Sequence, residues 1–404
     1  MYRSGAAGED NRPVFSRRQW LALAPMAGLA ACGGRHATGY PGFAVVSLAG
    51  DDSIAIVNLN TFQLAGRRQF RASPGMVATS GDTAYVLTPA DGTVHAINPN
   101  SRNSSGTSAR FSGELNFLRL TAEPYPRLIA VSSANRELVI AKSSDLRPER
   151  RVRLQTPVAA LDLATHSVSR ATYAALSGGK SGIVELVNLE NGQHRKCELE
   201  GELGDLRFRR DGKLLFVANY GQRSLFVLDT ESLQTVCELP LPMQPQNLAF
   251  GAKDGQLFVS GPGMDAISIV YVYNTVEVDQ TVLAAREPGA MACSENPRYL
   301  FVASRSGPEV TILNINTRKI AALTLTGSNP SRIVITPDQQ YALVLDKGSG
   351  DLAVIRIPEI LNSRNRRGAS ALPSGILTLR GIPLFAMIPV GAQPADIAIA
   401  NQTG

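Results

Sequence analysis

The chain has 404 residues, of which 44% are apolar and 18% charged, with 36 Gly and 24 Pro. This is a globular make-up, slightly low in charge, with room for many turns and few long helices. Net charge is +6, falling to +4 without residues 1–31, and the cations are dispersed, which argues against a nucleic-acid partner.

Residues 16–32 read Ser-Arg-Arg-Gln-Trp-Leu-Ala-Leu-Ala-Pro-Met-Ala-Gly-Leu-Ala-Ala-Cys and hold the only Trp, Trp20. Arg17-Arg18, with an apolar residue two positions on, resembles a twin-arginine export signal. The apolar run behind it is short and carries Pro25, so it cannot span a bilayer as a helix. It ends in Leu29-Ala30-Ala31-Cys32, which resembles the lipobox of bacterial lipoproteins. That resemblance implies that residues 1–31 are a signal peptide and that acylated Cys32 becomes the mature N-terminus. Each buried acyl methylene contributes ~0.8 kcal/mol, so two or three chains hold a protein on a membrane. Residues 32–42 then form a lipidated tether of at most ~35 Å. The expectation is an extracytoplasmic protein attached to a bacterial membrane, on its periplasmic face or the cell surface, without a transmembrane helix. The other cysteines, Cys197, Cys237 and Cys293, form no Cys-x-x-Cys pair and read as small packing residues with free thiols.

From residue 43 onward one unit repeats at about 42 residues, a period typical of propeller blades. Its clearest copy has strands at Leu214 to Asn219, Ser224 to Asp229 and Gln234 to Leu239, then a fourth at Gln246 to Phe250. Second strands follow at Phe43–Leu48, Thr83–Thr88, Arg127–Ser132, Ala171–Ser177, Gln256–Ser260, Arg298–Ser304 and Gln340–Leu345. Each is followed by a third strand, and many are near-continuous apolar runs, as suits sheets covered on both faces. Inner strands come after links bearing Pro or Gly, such as Pro74-Gly75, Pro245 and Pro394, because Pro cannot donate to a ladder. The first unit lacks an inner strand and the last strand, Ala395–Ala400, lacks a unit. Pairing these two closes the ring and removes two free sheet edges. The fold class is therefore all-β: a β-propeller over residues 43–404 with eight four-stranded blades, or seven if the unit Thr83–Phe111 is irregular. Two stretches break the period. Asn100 to Ala109, rich in Ser and Asn, reads as a loop. Pro358 to Pro383 inserts into the last blade and carries Arg364, Arg366, Arg367 and Arg380, a solvated loop or a contact to anionic lipid head groups.

Leu215-Phe-Val-Ala-Asn219, Leu225-Phe-Val-Leu-Asp229 and Ile388-Pro-Val-Gly-Ala-Gln-Pro394 resemble the strand and link motifs of the YVTN-type β-propeller repeat family. The resemblance covers roughly residues 43–404, strongest from Leu214 onward and weak across 100–180. It implies a fold rather than a chemistry, in a family discussed mainly as extracytoplasmic binding or surface proteins. Propellers of related architecture include lactonases and the haem-binding propeller of cytochrome cd nitrite reductase.

A haem would need an axial His or Met. His36 falls in the tether, His95 in a third strand and His194 near an outer strand; only His166, in a turn, approaches a central opening. A lactonase needs acids or His converging on the channel, and the inner strands offer Asp162, Glu202, Asp205 and Asp396, which read as isolated strand-end groups. No serine-hydrolase or zinc-protease motif occurs, so no catalytic residue, metal ligand or cofactor is assigned. What remains is one end of the ring, where loops between second and third strands emerge. They carry Asp51, Asp52, Asp91, Arg136, Lys180, Tyr220, Arg223, Asp265, Arg305, Asp346 and Lys347. Arg136, Lys180, Tyr220, Arg223, Arg305 and Lys347 are the candidate binding residues, suited to an anionic small molecule or an acidic protein surface. The expected protein is a monomeric binding platform; a lactonase-like hydrolase or cofactor-dependent oxidoreductase is the alternative.

Overall fold

The computed structural model describes residues 39–101, 106–111, 113–123, 126–164, 173–251, 255–273, 275–360 and 383–402. The strands of these residues pair into eight separate four-stranded antiparallel sheets, each a blade. The inner strands of blades 1 to 8 are Pro394–Asn401, Val77–Ser80, Phe117–Leu120, Ala160–Leu163, Leu203–Phe208, Asn247–Phe250, Pro288–Cys293 and Pro330–Ile335. Seven blades use consecutive strands. Blade 1 takes its inner strand from the C-terminal end, ahead of Gly42–Leu48, Ser53–Asn58 and Gln63–Gln69. Eight blades are present, not seven, and all are four-stranded.

Closure follows the expected pairing. Val46 lies opposite Ile397 and Val45 opposite Ala398 in an antiparallel register. A side-chain clasp adds to the ladder, with the Tyr40 hydroxyl donating to Asn401 Oδ1 at 2.6 Å. The Asp396 N–H also donates to Ser47 Oγ at 3.0 Å. Inner strands of neighbouring blades touch at most junctions, including blade 8 with blade 1 and blade 1 with blade 2.

The core is divided into layers rather than gathered in one centre. Leu343, Leu345 and Val354 of blade 8 pack with Val46, Ala55 and Val57 of blade 1. Phe216 and Val227 of blade 5 pack with Leu257 and Val270 of blade 6 in the same way. Second and third strands are apolar on both faces because each blade lies between two neighbours; Tyr341–Asp346 is buried along its whole length. Burying one such side chain stabilises the ring by ~1.5–3 kcal/mol. Outer strands face solvent on one side and alternate accordingly, as in Thr235–Pro240.

One local expectation is corrected. Thr107–Arg110 is the outer strand of blade 2, not loop; three polar residues and Ala109 suffice there because an outer strand needs burial on one face only. Cys197 pairs with Val184, the second residue of its third strand, whereas Cys237 pairs with Val227, the fourth of its own. The two are therefore not equivalent positions, and all three cysteines are free thiols. Burial pushes the Cys293 thiol up to about 12. No described helix is long and apolar enough to cross a membrane. Arg17, Arg18, Cys32, His36, His166 and the four arginines of the insertion lie outside the described residues.

Candidate functional site

Strand direction alternates through each blade, so every turn between second and third strands emerges at the end of the ring where inner strands begin. Arg136 lies in that turn of blade 3, Lys180 in blade 4, Tyr220 and Arg223 in blade 5, Arg305 in blade 7 and Lys347 in blade 8. The five cations are exposed and Tyr220 is half-buried. Arg136 and Arg223 precede their third strands at φ 51° and 55°, the left-handed conformation that Gly182 and Gly350 adopt in the matching turns of blades 4 and 8.

None of the five cations forms an ion pair among the described residues. Arg136 donates through Nη1 to the Gln155 carbonyl at 3.2 Å, and Arg305 donates to the Gln246 side chain. Aspartates of the same end are engaged instead by backbone N–H groups. Asp51 accepts from Ala392 N at 2.9 Å and pairs with Arg67 at 3.2 Å; Asp265 accepts from Glu287 N at 2.9 Å. Asp346 is a correction to the expected rim charges. It is fully buried, accepting from Gly327 N at 2.8 Å and Thr326 Oγ1 at 2.9 Å. Burial without a cation raises its carboxyl to about 6.

A second charged zone lies in the central channel, where the sequence points only to isolated acids. Asp162, Asp205 and Asp396 are neither isolated nor free. One oxygen of each accepts from the inner strand of the following blade: Asp162 from Phe208 N at 2.9 Å, Asp205 from Leu248 N at 3.2 Å, Asp396 from Val77 N at 3.1 Å. The other oxygen meets an arginine. Arg207 lies 3.6 Å from Asp162 and 3.3 Å from Asp205, while Arg332 lies 3.1 Å from Asp396. The acids thus stitch blade to blade and are held by the guanidinium groups. Glu202 precedes the inner strand of blade 5, and its carbonyl accepts from Tyr220 N at 2.8 Å.

The third channel arginine, Arg119, has no carboxylate beside it among the described residues; its Nη1 donates to Met76 Sδ at 3.6 Å and to the Leu118 carbonyl at 3.0 Å. The sequence does not single out Arg119, Arg207 or Arg332. Phe117–Leu120 is four residues long, follows a link that carries Gly113 but no Pro, and sits in the stretch where the repeat is faintest.

Elsewhere, a groove of about 650 Å³ runs between blades 3 and 4, lined by Arg127, Lys142, Arg150 and Glu190 among others. Two of its cations are occupied internally, since Arg127 pairs with Glu190 at 2.5 Å and Arg150 donates to the Glu190 carbonyl at 3.3 Å. His95 is a packed residue against Phe70, with its protonation disfavoured chiefly by burial. Among the described residues no cluster of three or more His, Cys, Asp or Glu could hold a metal.

No family model matches this chain, and no curated protein matches it in sequence. Its fold class is an eight-bladed β-propeller, and solved structures share it. A "Dihydro-heme d1 dehydrogenase NirN in complex with DHE" superposes with a TM-score of 0.69 at 16% identity, over 91% of this chain and 77% of that one. Apo AztD from Citrobacter koseri gives 0.60 at 12% identity, over 89% and 98%. A protein of unknown function from Desulfotomaculum acetoxidans gives 0.54 at 11% identity, over 89% and 99%. At these identities the likeness concerns the fold.

Proposed function

We propose that this chain is a lipid-anchored extracytoplasmic propeller of the YVTN-repeat type and serves as a non-catalytic binding platform. The reading rests above all on five exposed loop-end cations that lack carboxylate partners while nearby aspartates are engaged by the backbone. A closed ring fixes these loops relative to one another, and an acidic protein surface or an anionic small molecule supplies their counter-charge. Acylated Cys32 attaches the platform to the membrane.

A photo-crosslinking residue placed at Tyr220 in living cells tests the platform. The expected outcome is one dominant adduct that disappears when Lys180, Arg223 and Lys347 are all changed to Glu. Equal labelling from Gln193, at the opposite end, or an adduct that survives the triple change would refute the reading. For the anchor, Cys32→Ala should move the protein from the membrane to the soluble envelope fraction; unaltered retention would defeat it.

A second reading, lactonase-like hydrolysis or cofactor-dependent oxidation in the channel, is favoured by one observation: the charged girdle of Arg119, Arg207, Arg332, Asp162, Asp205 and Asp396. NirN, whose propeller fold this chain shares, is a dihydro-heme d1 dehydrogenase solved in complex with DHE. Neither described histidine offers a haem an axial ligand there, because His95 and His194 sit on a third and an outer strand rather than an inner one. A Soret band in protein purified from its native envelope, or turnover in a lactone screen lost with Asp162→Asn, would favour this reading over the first.

A further inference from the structure

One guanidinium in the channel has no counter-ion among the described residues, and an internal copy shows what it lacks. Arg119 and Arg207 lie at the same depth, opposite Ile129 and Phe216, each the third residue of its second strand. Each curls back so that Nη1 donates to the preceding carbonyl, Leu118 at 3.0 Å and Leu206 at 3.1 Å. At Arg207 the same Nη1 also meets Asp205 Oδ1 at 3.3 Å and Asp162 Oδ1 at 3.6 Å. At Arg119 that place belongs to Met76 Sδ, 3.6 Å away.

A thioether is a weak, uncharged acceptor and does not replace a carboxylate. The remaining donors of Arg119, on Nε and Nη2, have no acceptor among the described residues. The nearby acids are engaged: Asp162 by Arg207 and Phe208 N, Asp396 by Arg332 and Val77 N. The six channel charges sum to zero but are unevenly placed, with Arg207 between two aspartates and Arg119 beside none. Protonation of Arg119 is disfavoured first by burial, then by Arg207 and Arg332, against the pull of Asp396 and Asp162. Burial opposes the charge on Arg207 as well, but Asp205 and Asp162 overcome it and its pKa stands raised.

We propose that Arg119 anchors an anion-binding site inside the channel, and that its ligand is a small carboxylate held on the Nε and Nη2 donors, as Asp205 and Asp162 are held by Arg207. The planar fork of a guanidinium matches the two oxygens of a carboxylate, and Met76 offers the ligand's hydrocarbon an apolar wall. This site is separate from the loop-end cations and stands or falls independently of the binding-platform reading.

Calorimetric titration of acetate, succinate, citrate and inorganic phosphate into the full chain in detergent tests it. At least one carboxylate should bind saturably. Its affinity should drop at least about tenfold in Arg119→Gln, recover in part in Arg119→Lys, and stay unchanged in Arg147→Gln on the exposed outer edge. Met76→Glu supplies the missing counter-ion from within, so it should abolish the binding and raise the thermal midpoint. The proposal is overturned if no carboxylate binds saturably or if Arg119→Gln retains the original affinity. Phosphate binding more tightly than every carboxylate, or a folded Met76→Glu protein that still binds, overturns it too.

Discussion

The two ends of the ring use the same residue types to different ends. Opposite the loop end, cations are consumed by the fold. Arg209 holds Asp211 through two bonds of 2.9 and 2.7 Å and also donates to the Val272 carbonyl of blade 6 at 2.8 Å. Arg318 pairs with Asp279 at 2.5 Å and donates to Tyr271, also at a blade junction. Arg356 pairs with Glu359 at 3.0 Å. At the loop end aspartates satisfy the backbone, although Asp51 also holds Arg67, and Lys180, Arg223 and Lys347 point to no partner among the described residues. A charged residue signals availability only when its neighbours leave it uncompensated, which residue type alone does not reveal.

The largest expected effect comes from the buried loop-end acid. Asp346 has its carboxyl raised from 3.8 to about 6, chiefly by burial, so between these values the folded protein holds a proton that the unfolded chain has released. Stability therefore falls as pH rises from about 4 to about 6 and levels off above. A rise of that size corresponds to about 3 kcal/mol. Urea midpoints across that window should fall less steeply with rising pH in Asp346→Asn than in the parent. Parallel curves would show that the burial of Asp346 does not govern the end it occupies.

Next in size is the most enclosed cation of the opposite end. Arg209→Gln strips Asp211 of its two-point partner and leaves the Val272 carbonyl without its donor. The pair is only partly buried, with 12% and 33% of the side chains exposed, so the expected loss is about 2 kcal/mol rather than that of a sealed pair. Chemical denaturation measures it directly. A loss no greater than that of Lys347→Gln, the matching change at the loop end, would erase the distinction between the ends.

Much of this architecture is legible in the chain. Apolar runs such as Leu225-Phe-Val-Leu228 recur at a fixed spacing, and a first unit without an inner strand together with a last strand without a unit predicts that the two pair, as they do. The turns bearing Arg136, Lys180, Arg223, Arg305 and Lys347 also follow from strand alternation. The channel does not, because apart from Asp205 and Arg207 on one strand its pairs join residues one repeat apart, as Asp162 and Arg207, or across the ring closure, as Arg332 and Asp396. Which side of a short inner strand faces the channel depends on bulges such as that between Leu203 and Leu206, which no local pattern marks. Asp346 departs from its expected place on the rim for a related reason: it ends an apolar strand, and only the packing of Thr326 and Gly327 over it decides that it is buried.

The smallest stability effect sharpens the comparison most. Arg223 occupies a left-handed turn position, φ 55°, where a side chain costs about 1–2 kcal/mol relative to glycine. Glycine in turn loses more conformational entropy on folding, about 0.5–1 kcal/mol. Arg223→Gly should thus leave stability unchanged or raise it slightly, by less than about 1 kcal/mol, while deleting one uncompensated charge. The backbone N–H of Leu241 still finds the carbonyl at position 223, since that bond of 2.7 Å does not involve the side chain. If the loop-end cations serve binding, this variant is as stable as the parent and yields less of the Tyr220 adduct. A clear loss of stability in urea would mean that Arg223 is a structural residue after all, and the two ends of the ring would differ in degree only.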